Sequence, residues 1–174
     1  MKIGLFYGST TCYTEIVAEK IQQEVNEFDV ELFNIKETPL NSCDDFDILI
    51  FGISTWDYGE LQEDWESHWE EVSSLKLSNK IIALYGMGDQ IGYTDWFQDA
   101  LGLLHDEIVP QDPVFIGYWA NSGYEFNASK ALIENDSKFV GLALDEDTQY
   151  DLTDERIKKW CNQIQTEIKE ILSA

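Results

Sequence analysis

Three short stretches of the sequence combine hydroxyl groups, glycines and aromatic rings in patterns that could bind a ligand. The first, residues 8–14 (GSTTCYT), follows an apolar run and carries the hydroxyls of Ser9, Thr10, Thr11 and Thr14 into an amphipathic segment. Hydroxyls and free backbone N–H groups at a helix N-terminus bind anions. Because the stretch has no Lys or Arg and lacks the spacing of a Walker loop or a dinucleotide turn, it suits one phosphate monoester. Taken alone, a helix start rich in Ser and Thr is more often ordinary helix capping.

The other two stretches each place an aromatic residue on a predicted loop. Trp56 lies within residues 54–61 (STWDYGEL), and Tyr93 lies within residues 86–93 (GMGDQIGY). Two such rings could sandwich a flat heterocycle, while the glycines would let the backbone approach the edges of that heterocycle. Singly, each ring is more simply a packing residue. Together with the first stretch, they favour a flat ligand that carries a phosphate.

The surrounding sequence predicts the elements that would bring these stretches together. Short apolar runs alternate with longer amphipathic segments, which is typical of βα units around a parallel sheet. Strands are predicted at residues 2–7, 30–34, 48–53, 80–85 and 114–117. The three stretches follow the first, third and fourth of these strands. In open parallel sheets, ligands bind beyond the carboxyl ends of the strands.

Helices are predicted from apolar stripes at helical spacing. The three clearest stripes are Val17, Ala18, Ile21, Val25 and Phe28; Phe97, Ala100, Leu101, Leu104 and Ile108; and Ile157, Trp160, Cys161, Ile164, Ile168 and Ile171. Thr153 is the predicted N-cap of the last helix. A weaker stripe of Trp65, Trp69 and Val72 predicts an acidic helix. His68 on this helix and His105 on the helix of the second clear stripe are expected to be surface or hydrogen-bonded residues and not ligands.

One segment interrupts the alternation of strands and helices. From Trp119 to Ser137 the sequence is polar, rich in Asn, Ser and Gly, and without a strong period, and apolar residues 139–144 follow it. We interpret this segment as a long insertion, either between two pieces of the fifth strand or between that strand and a short extra one. Loops of this length often have a function or face a partner.

The charge balance restricts the partners. Thirty-four acidic residues against 11 basic ones give a formal net charge of −23. Such a surface repels a phosphate backbone, so nucleic acid is not an expected partner. It would attract a basic protein surface and accelerate the encounter, although acidity can also serve only solubility. Acidic residues crowd the two aromatic stretches, which favours docking of a basic-faced partner there.

The cysteines and the hydropathy pattern argue against a disulfide-rich, metal-binding or membrane-spanning protein. Cys12, Cys43 and Cys161 are odd in number, widely spaced and far from both histidines, so neither a disulfide framework nor a metal site is expected. Reduced thiols suggest a cytoplasmic protein. No apolar run reaches the ~18 residues of a membrane span, and the N-terminus does not resemble a secretory signal.

Four segments in order and at matching spacing give the sequence a family resemblance. FYGSTTCYTE, STWDYGELQEDW, YGMGDQIGYTDWFQDALG and GLALDEDTQYDLTDERIKKW together resemble long-chain flavodoxins of the bacterial flavodoxin 2 type. The resemblance implies one α/β domain over residues 1–174, with a flavodoxin-like three-layer α/β/α architecture. Its five-stranded parallel sheet would have the order 2-1-3-4-5, for which flavodoxin is itself a standard example. The last strand would be interrupted by the insertion that marks the long-chain class.

The resemblance also implies non-covalently bound FMN as the cofactor and assigns residues to it. The phosphate would be bound by Ser9, Thr10, Thr11, Cys12, Tyr13 and Thr14. One face of the isoalloxazine would be covered by the loop containing Ser54, Thr55, Trp56, Asp57, Tyr58 and Gly59. The other face would stack on Tyr93, in a loop that also contributes Gly86, Met87, Gly88, Asp89 and Asp95, and Asp145 would lie close to the ribityl chain. No catalytic residue and no metal ligand is implied.

Two residues depart from the family pattern. Cys12 stands where glycine is common in the phosphate loop, which would strain the turn if its φ is positive. Asp57 stands where a smaller or neutral residue is frequent. A thiol at a helix N-terminus can be reactive, but a phosphate beside it would disfavour the thiolate, and a structural role for Cys12 is the simpler interpretation.

The function implied by the resemblance is that of a low-potential one-electron carrier and not an enzyme. Electrons would pass from a ferredoxin/flavodoxin-NADP reductase to radical or reductive enzymes, with a monomeric carrier. The main alternative, an FMN-dependent NAD(P)H reductase of quinones or azo compounds, would need a nicotinamide site with a cation, which the predicted binding face lacks. A receiver domain would need a phosphorylatable Asp with a partnering Lys, and would give the aromatic loops no purpose.

Overall fold

A computed structural model describes all 174 residues. The strands are β1 (Lys2–Tyr7), β2 (Asp29–Asn34), β3 (Ile48–Trp56), β4 (Glu60–Leu61), β5 (Ile81–Met87), β6 (Val114–Ile116), β7 (Trp119–Ala120), β8 (Leu132–Ile133), β9 (Lys138–Phe139) and β10 (Leu142–Leu144). The α-helices are α1 (Tyr13–Glu24), α2 (Glu63–Ser67), α3 (Trp69–Val72), α4 (Asp99–Ile108) and α5 (Thr153–Ser173).

The central sheet is parallel and has the order β2-β1-β3-β5-β10. Its fifth position is shared by two strands, because β6 pairs with the first half of β5 and β10 with the second half. The predicted order 2-1-3-4-5 with an interrupted last strand is therefore confirmed. Parallel pairing places the carboxyl ends of β1, β3, β5 and β10 at one edge of the sheet, where the predicted ligand-binding stretches begin.

Two hydrophobic layers cover the sheet, as its uninterrupted apolar strands predict. Alternate residues along β1 point to opposite layers: Ile3, Leu5 and Tyr7 face α1 and α5, whereas Phe6 packs on the other side. Each fully buried large side chain contributes about 1.5–3 kcal/mol through removal of apolar surface from water. The longest helix, α5, buries only one stripe, and no helix of the protein is long and apolar enough to cross a bilayer.

Two details of the predicted helices are wrong. A 3₁₀ turn at residues 150–152 runs directly into α5, so Thr153 is already helical and its buried hydroxyl has no hydrogen-bond partner. It is therefore not the N-cap. The acidic helix predicted around Trp65 is broken into α2 and α3 at His68. The Nε2 of His68 pairs with the carbonyl of Ile35 at 3.0 Å, in line with the expectation of a hydrogen-bonded residue.

The insertion lies between β6 and β10, where the fifth strand was predicted to be interrupted. It forms a small antiparallel sheet of order β7-β9-β8. Despite its polar composition, it packs against the main core. Ala131 and Phe139 are fully buried, and the ring centroid of Phe126 lies 5.0 Å from that of Phe97. The insertion is thus an integral part of one layer of the fold.

Candidate functional site

Four loops at the carboxyl edge of the sheet enclose a cavity of about 290 Å³. Its lining residues are Thr11, Tyr13, Ser54, Thr55, Trp56, Asp57, Met87, Gly88, Asp89, Tyr93 and Asp147. All but Asp147 were predicted as site residues from the sequence. Larger surface pockets of about 360 and 390 Å³ exist elsewhere, but the residues that line them are not among the predicted site residues. Position and residue chemistry, not size, single out this cavity.

The loop between β1 and α1 leaves its polar groups open. None of the backbone N–H groups from Ser9 to Glu15 donates a hydrogen bond within the chain. The hydroxyl of Ser9 is buried and also has no partner. At the start of α1, no side chain caps the helix. A row of unpaired donors at the positive end of a helix dipole is suited to an anion of high charge density, such as a phosphate ester.

Cys12 adopts the left-handed conformation that was expected to strain this turn. Its φ is 70° at the residue that precedes α1. For a residue with a side chain, this conformation costs about 1–2 kcal/mol relative to glycine. Its side chain is exposed. Asp57 also has a positive φ, of 44°, so both departures from the family pattern fall at strained positions.

The open loop is held from beneath by side chains of other elements. The buried amide of Gln62 donates to the Thr10 hydroxyl at 3.1 Å and caps α2 through its oxygen. The hydroxyl of Tyr85 donates to the carbonyl of Thr14 at 2.8 Å, and burial raises the pKa of this tyrosine. The position of the loop is therefore set by the protein, while its N–H groups remain available.

The hairpin between β3 and β4 carries the first aromatic residue of the cavity. The indole N–H of Trp56 donates to the Ser54 hydroxyl at 3.0 Å. The hydroxyl of Thr55 accepts the N–H of Ala100 at 3.0 Å, which ties the hairpin to the first turn of α4. Tyr58 does not line the cavity; it is 69% exposed at the tip of the hairpin, with its ring centroid 6.3 Å from that of Tyr93.

The loop between β5 and α4 carries the second aromatic residue and pairs several of its own N–H groups. Asp89 Oδ1 accepts the N–H groups of Ile91 at 3.0 Å and Gly92 at 2.7 Å. This closes a tight turn that leads to Tyr93, which is 38% exposed at the cavity wall. The amide of Gln98 donates to the carbonyls of Gly86 and Leu144, and so joins the ends of β5 and β10.

Asp145, which the family resemblance places close to the ribityl chain, is buried outside the lining of the cavity. The residue has 0% exposure, and its two carboxylate oxygens accept hydrogen bonds from Gln90 and Asp147. Asp147, two residues later, lines the cavity instead. Burial, and then the nearby carboxylates of Asp89, Asp145 and Glu146, raise the pKa of Asp147. In a run of three acidic residues, only the turn after β10 decides which carboxylate faces the cavity.

The remaining predicted residues lie around the cavity and not in its lining. Gly86 lies beneath Gln98, Gly59 beside Asp99, and Asp95 is exposed and accepts the side-chain amide of Asn127 at 3.0 Å. Ser9, Thr10, Cys12 and Thr14 belong to the open loop described above. The lining itself carries the carboxylates of Asp57, Asp89 and Asp147 and no cation. Such a site would disfavour additional negative charge on a bound ring.

Comparison with known proteins gives consistent matches over most of the chain. Residues 5–160 match the family model described as Flavodoxin. Flavodoxin 2 of Salmonella typhi is 54% identical over 170 residues, which cover 98% of each protein. A flavodoxin of Nostoc sp. (strain PCC 7120) is 48% identical over 166 residues, covering 95% of this chain and 96% of the relative. The crystal structure of Fusobacterium nucleatum flavodoxin bound to flavin mononucleotide has a TM-score of 0.89 at 30% identity, covering 95% and 98% of the two chains.

Proposed function

Because the chain belongs to the flavodoxin family, whose members are FMN-binding electron carriers and not enzymes, we propose that the cavity at the carboxyl edge is its FMN site. The observation that carries this assignment is the open loop. Its unpaired N–H groups, from Ser9 to Glu15, and the buried hydroxyl of Ser9 match the oxygen acceptors of one phosphate monoester.

The aromatic walls suit the ring of the same ligand. Trp56 and Tyr93 line the cavity from different loops, and flat heterocycles bind to such rings by stacking. Gly88 also lines the cavity and lets the backbone approach a ring edge. Bound FMN supplies the one-electron chemistry, while the residues around it set its potential. The carboxylates of Asp57, Asp89 and Asp147 oppose the gain of negative charge and so favour a low potential.

We propose that residues 1–174 form one FMN-binding domain. The central sheet uses strands from Lys2 to Leu144, and α5 returns from Thr153 to Ser173 to cover one of its faces. Both hydrophobic layers are built from elements along the whole chain. No part of the sequence is left to form a second core.

Flavodoxins act as redox partners of reductases and acceptor enzymes. For this chain we propose partners with basic faces, because its net charge is −23 and the cavity rim is acidic. A reductase of the ferredoxin/flavodoxin-NADP type is the proposed donor, reductive or radical enzymes are the proposed acceptors, and the carrier is a monomer. A cytoplasmic location agrees with three free cysteines, two of them buried.

The proposal is tested by loading the purified protein with FMN and reducing it stepwise without oxygen. We expect stoichiometric binding and two resolved one-electron couples, the second well below that of free FMN. A protein that does not bind FMN would overturn the site assignment. Direct, multiple-turnover oxidation of NADPH by the loaded protein, with no reductase present, would favour the alternative of an FMN-dependent reductase.

A further inference from the structure

The segment from Asp89 to Tyr93, here called the Tyr93 loop, has one buried side chain, which does not line the cavity. Gln90 is 1% exposed, although its neighbour Asp89 and the nearby Tyr93 both line the cavity. A buried amide stabilises a fold only if its donors and acceptor are paired. The partners of Gln90 come from two segments that are 35 and 55 residues away in the chain. This amide therefore joins three separate parts of the molecule.

The first partner is the buried carboxylate of Asp145. Its Oδ2 accepts the backbone N–H of Gln90 at 3.0 Å, the side-chain amide of Gln90 at 2.8 Å and the hydroxyl of Thr148 at 2.5 Å. Its Oδ1 accepts the N–H groups of Asp147 at 3.0 Å and Thr148 at 2.9 Å. No cation pairs with this carboxylate, so its burial depends on these donors. Gln90 supplies two of them.

The second partner is the insertion. The side-chain oxygen of Gln90 accepts the N–H of Glu125 at 2.6 Å. Close by, the N–H groups of Asn127 and Ala128 bond to the carbonyl of Thr94 at 2.9 and 3.1 Å. The insertion thus lies along the outside of the loop that carries Tyr93, and Gln90 is the one side chain that also connects it to Asp145.

We propose that Gln90 is a positioning residue, which holds the loop from Asp89 to Tyr93 in its binding geometry and makes the insertion a support of the FMN site. This inference rests on the proposed function. A loop that is ordered before the ligand arrives does not lose conformational freedom on binding, so its anchoring strengthens affinity without any contact to the ligand. The same bonds place Asp147, through Asp145, at the cavity wall.

The test compares two buried glutamines. Gln90→Met removes the amide but keeps a similar side-chain volume. The matched control is Gln165→Met, because Gln165 is 3% exposed and its oxygen accepts the N–H of Glu27 at 2.9 Å, just before β2 at the opposite edge of the sheet. Urea unfolding measures stability, fluorescence titration measures the FMN dissociation constant, and amide hydrogen exchange reports local order.

We expect both variants to lose stability, and Gln90→Met to lose more than the control because its side chain makes more hydrogen bonds. Only Gln90→Met should raise the FMN dissociation constant, by about tenfold. Exchange should accelerate at Glu125, Ile91 and Gly92 in that variant, and at Glu27 in the control. Thr148→Val provides a second, milder variant at an exposed residue in case Gln90→Met does not fold. It removes one donor from Asp145 and should raise the dissociation constant by about threefold.

Two results would overturn the inference. One is an unchanged FMN dissociation constant in Gln90→Met and Thr148→Val. The other is an equal loss of affinity in the Gln165→Met control, which would indicate a general effect of stability. Both require that the unmodified protein binds FMN, and absence of that binding would instead count against the proposed function.

Discussion

The two loops that flank the cavity treat their polar groups in opposite ways. Between β1 and α1, the N–H groups from Ser9 to Glu15 have no partner in the chain, and the hydroxyl of Ser9 is buried without one. Between β5 and α4, Asp89 accepts two N–H groups of its own turn. The backbone N–H, the side-chain amide and the side-chain oxygen of Gln90 are all hydrogen-bonded. One loop leaves its donors open for the proposed ligand, whereas the other pairs much of its turn within the protein.

This difference fits the part of FMN that each loop is proposed to recognise. A phosphate ester offers several charged acceptors, and these satisfy donors that the protein leaves open. An aromatic ring offers mainly a flat surface, so the loop beside it must already be rigid enough to hold Tyr93 in place. Hydrogen bonds within the protein are therefore expected in the loop beside the ring, and unpaired N–H donors are expected in the loop beside the phosphate.

The largest expected effect tests the open loop through the ligand. Riboflavin, which lacks the phosphate, is expected to bind at least about 100-fold more weakly than FMN. Hydrogen bonds to a charged group contribute about 1.5–3 kcal/mol each, and 1.4 kcal/mol corresponds to a factor of ten. Fluorescence titrations of the same preparation with both ligands measure the ratio. Similar affinities would show that the open N–H groups do not recognise phosphate.

A smaller effect is expected from relieving the strain of the open loop. Cys12→Gly should stabilise the folded protein by up to about 1 kcal/mol, because the left-handed strain of about 1–2 kcal/mol is removed while the more flexible unfolded chain offsets part of the gain. Cys12→Ala is the control, since it keeps the strain and removes only the thiol. The measurement is urea unfolding of both variants. Equal stability of the two would show that the backbone at Cys12 is unstrained.

The smallest effect concerns the charge next to the Tyr93 loop. The pKa of Asp147 is raised in the folded protein, so the folded state binds this proton more tightly than the unfolded chain does. Its contribution to stability therefore falls as the pH rises from the ordinary Asp range through the raised pKa. Because the side chain is largely exposed, Asp147→Asn should stabilise the protein at neutral pH by less than about 1 kcal/mol.

The pH profile distinguishes this explanation from a general effect of the substitution. The gain from Asp147→Asn should disappear below the ordinary Asp pKa, where the wild-type side chain is protonated in both states. Unfolding free energies of the two proteins between acidic and neutral pH give the comparison. A gain that does not vary with pH would contradict the assigned cause.

Much of the framework could be predicted from the sequence. Uninterrupted apolar runs such as residues 48–51 indicate strands that are covered on both faces, and β1 was predicted at the residues that form it. The open loop and both aromatic walls were identified because hydroxyls, glycines and rings follow these strands. The strand order, by contrast, came from the family resemblance, since periodicity does not say which strands are neighbours.

The errors lie where the outcome depends on contacts between distant residues. Thr153 has the residue type of an N-cap, but the preceding 3₁₀ turn had already begun the helix. The insertion seemed polar because the residues it buries, such as Ala131 and in part Phe126, are scattered without a period. The roles of Gln62 and Gln90 could not be predicted from local sequence, because their partners Thr10 and Asp145 lie 52 and 55 residues away.

The sequence by itself determined the alternation of strands and helices, the acidic surface, and the residue types at the end of each strand. These properties are local, since they depend on side-chain period, hydropathy and charge. Only the tertiary structure decided that Asp147 and not Asp145 faces the cavity, that Cys12 is left-handed, and that Gln90 joins three segments. Each of these depends on which distant loops the parallel sheet brings to one edge, and there the hydrogen bonds between loops select one conformation for each residue.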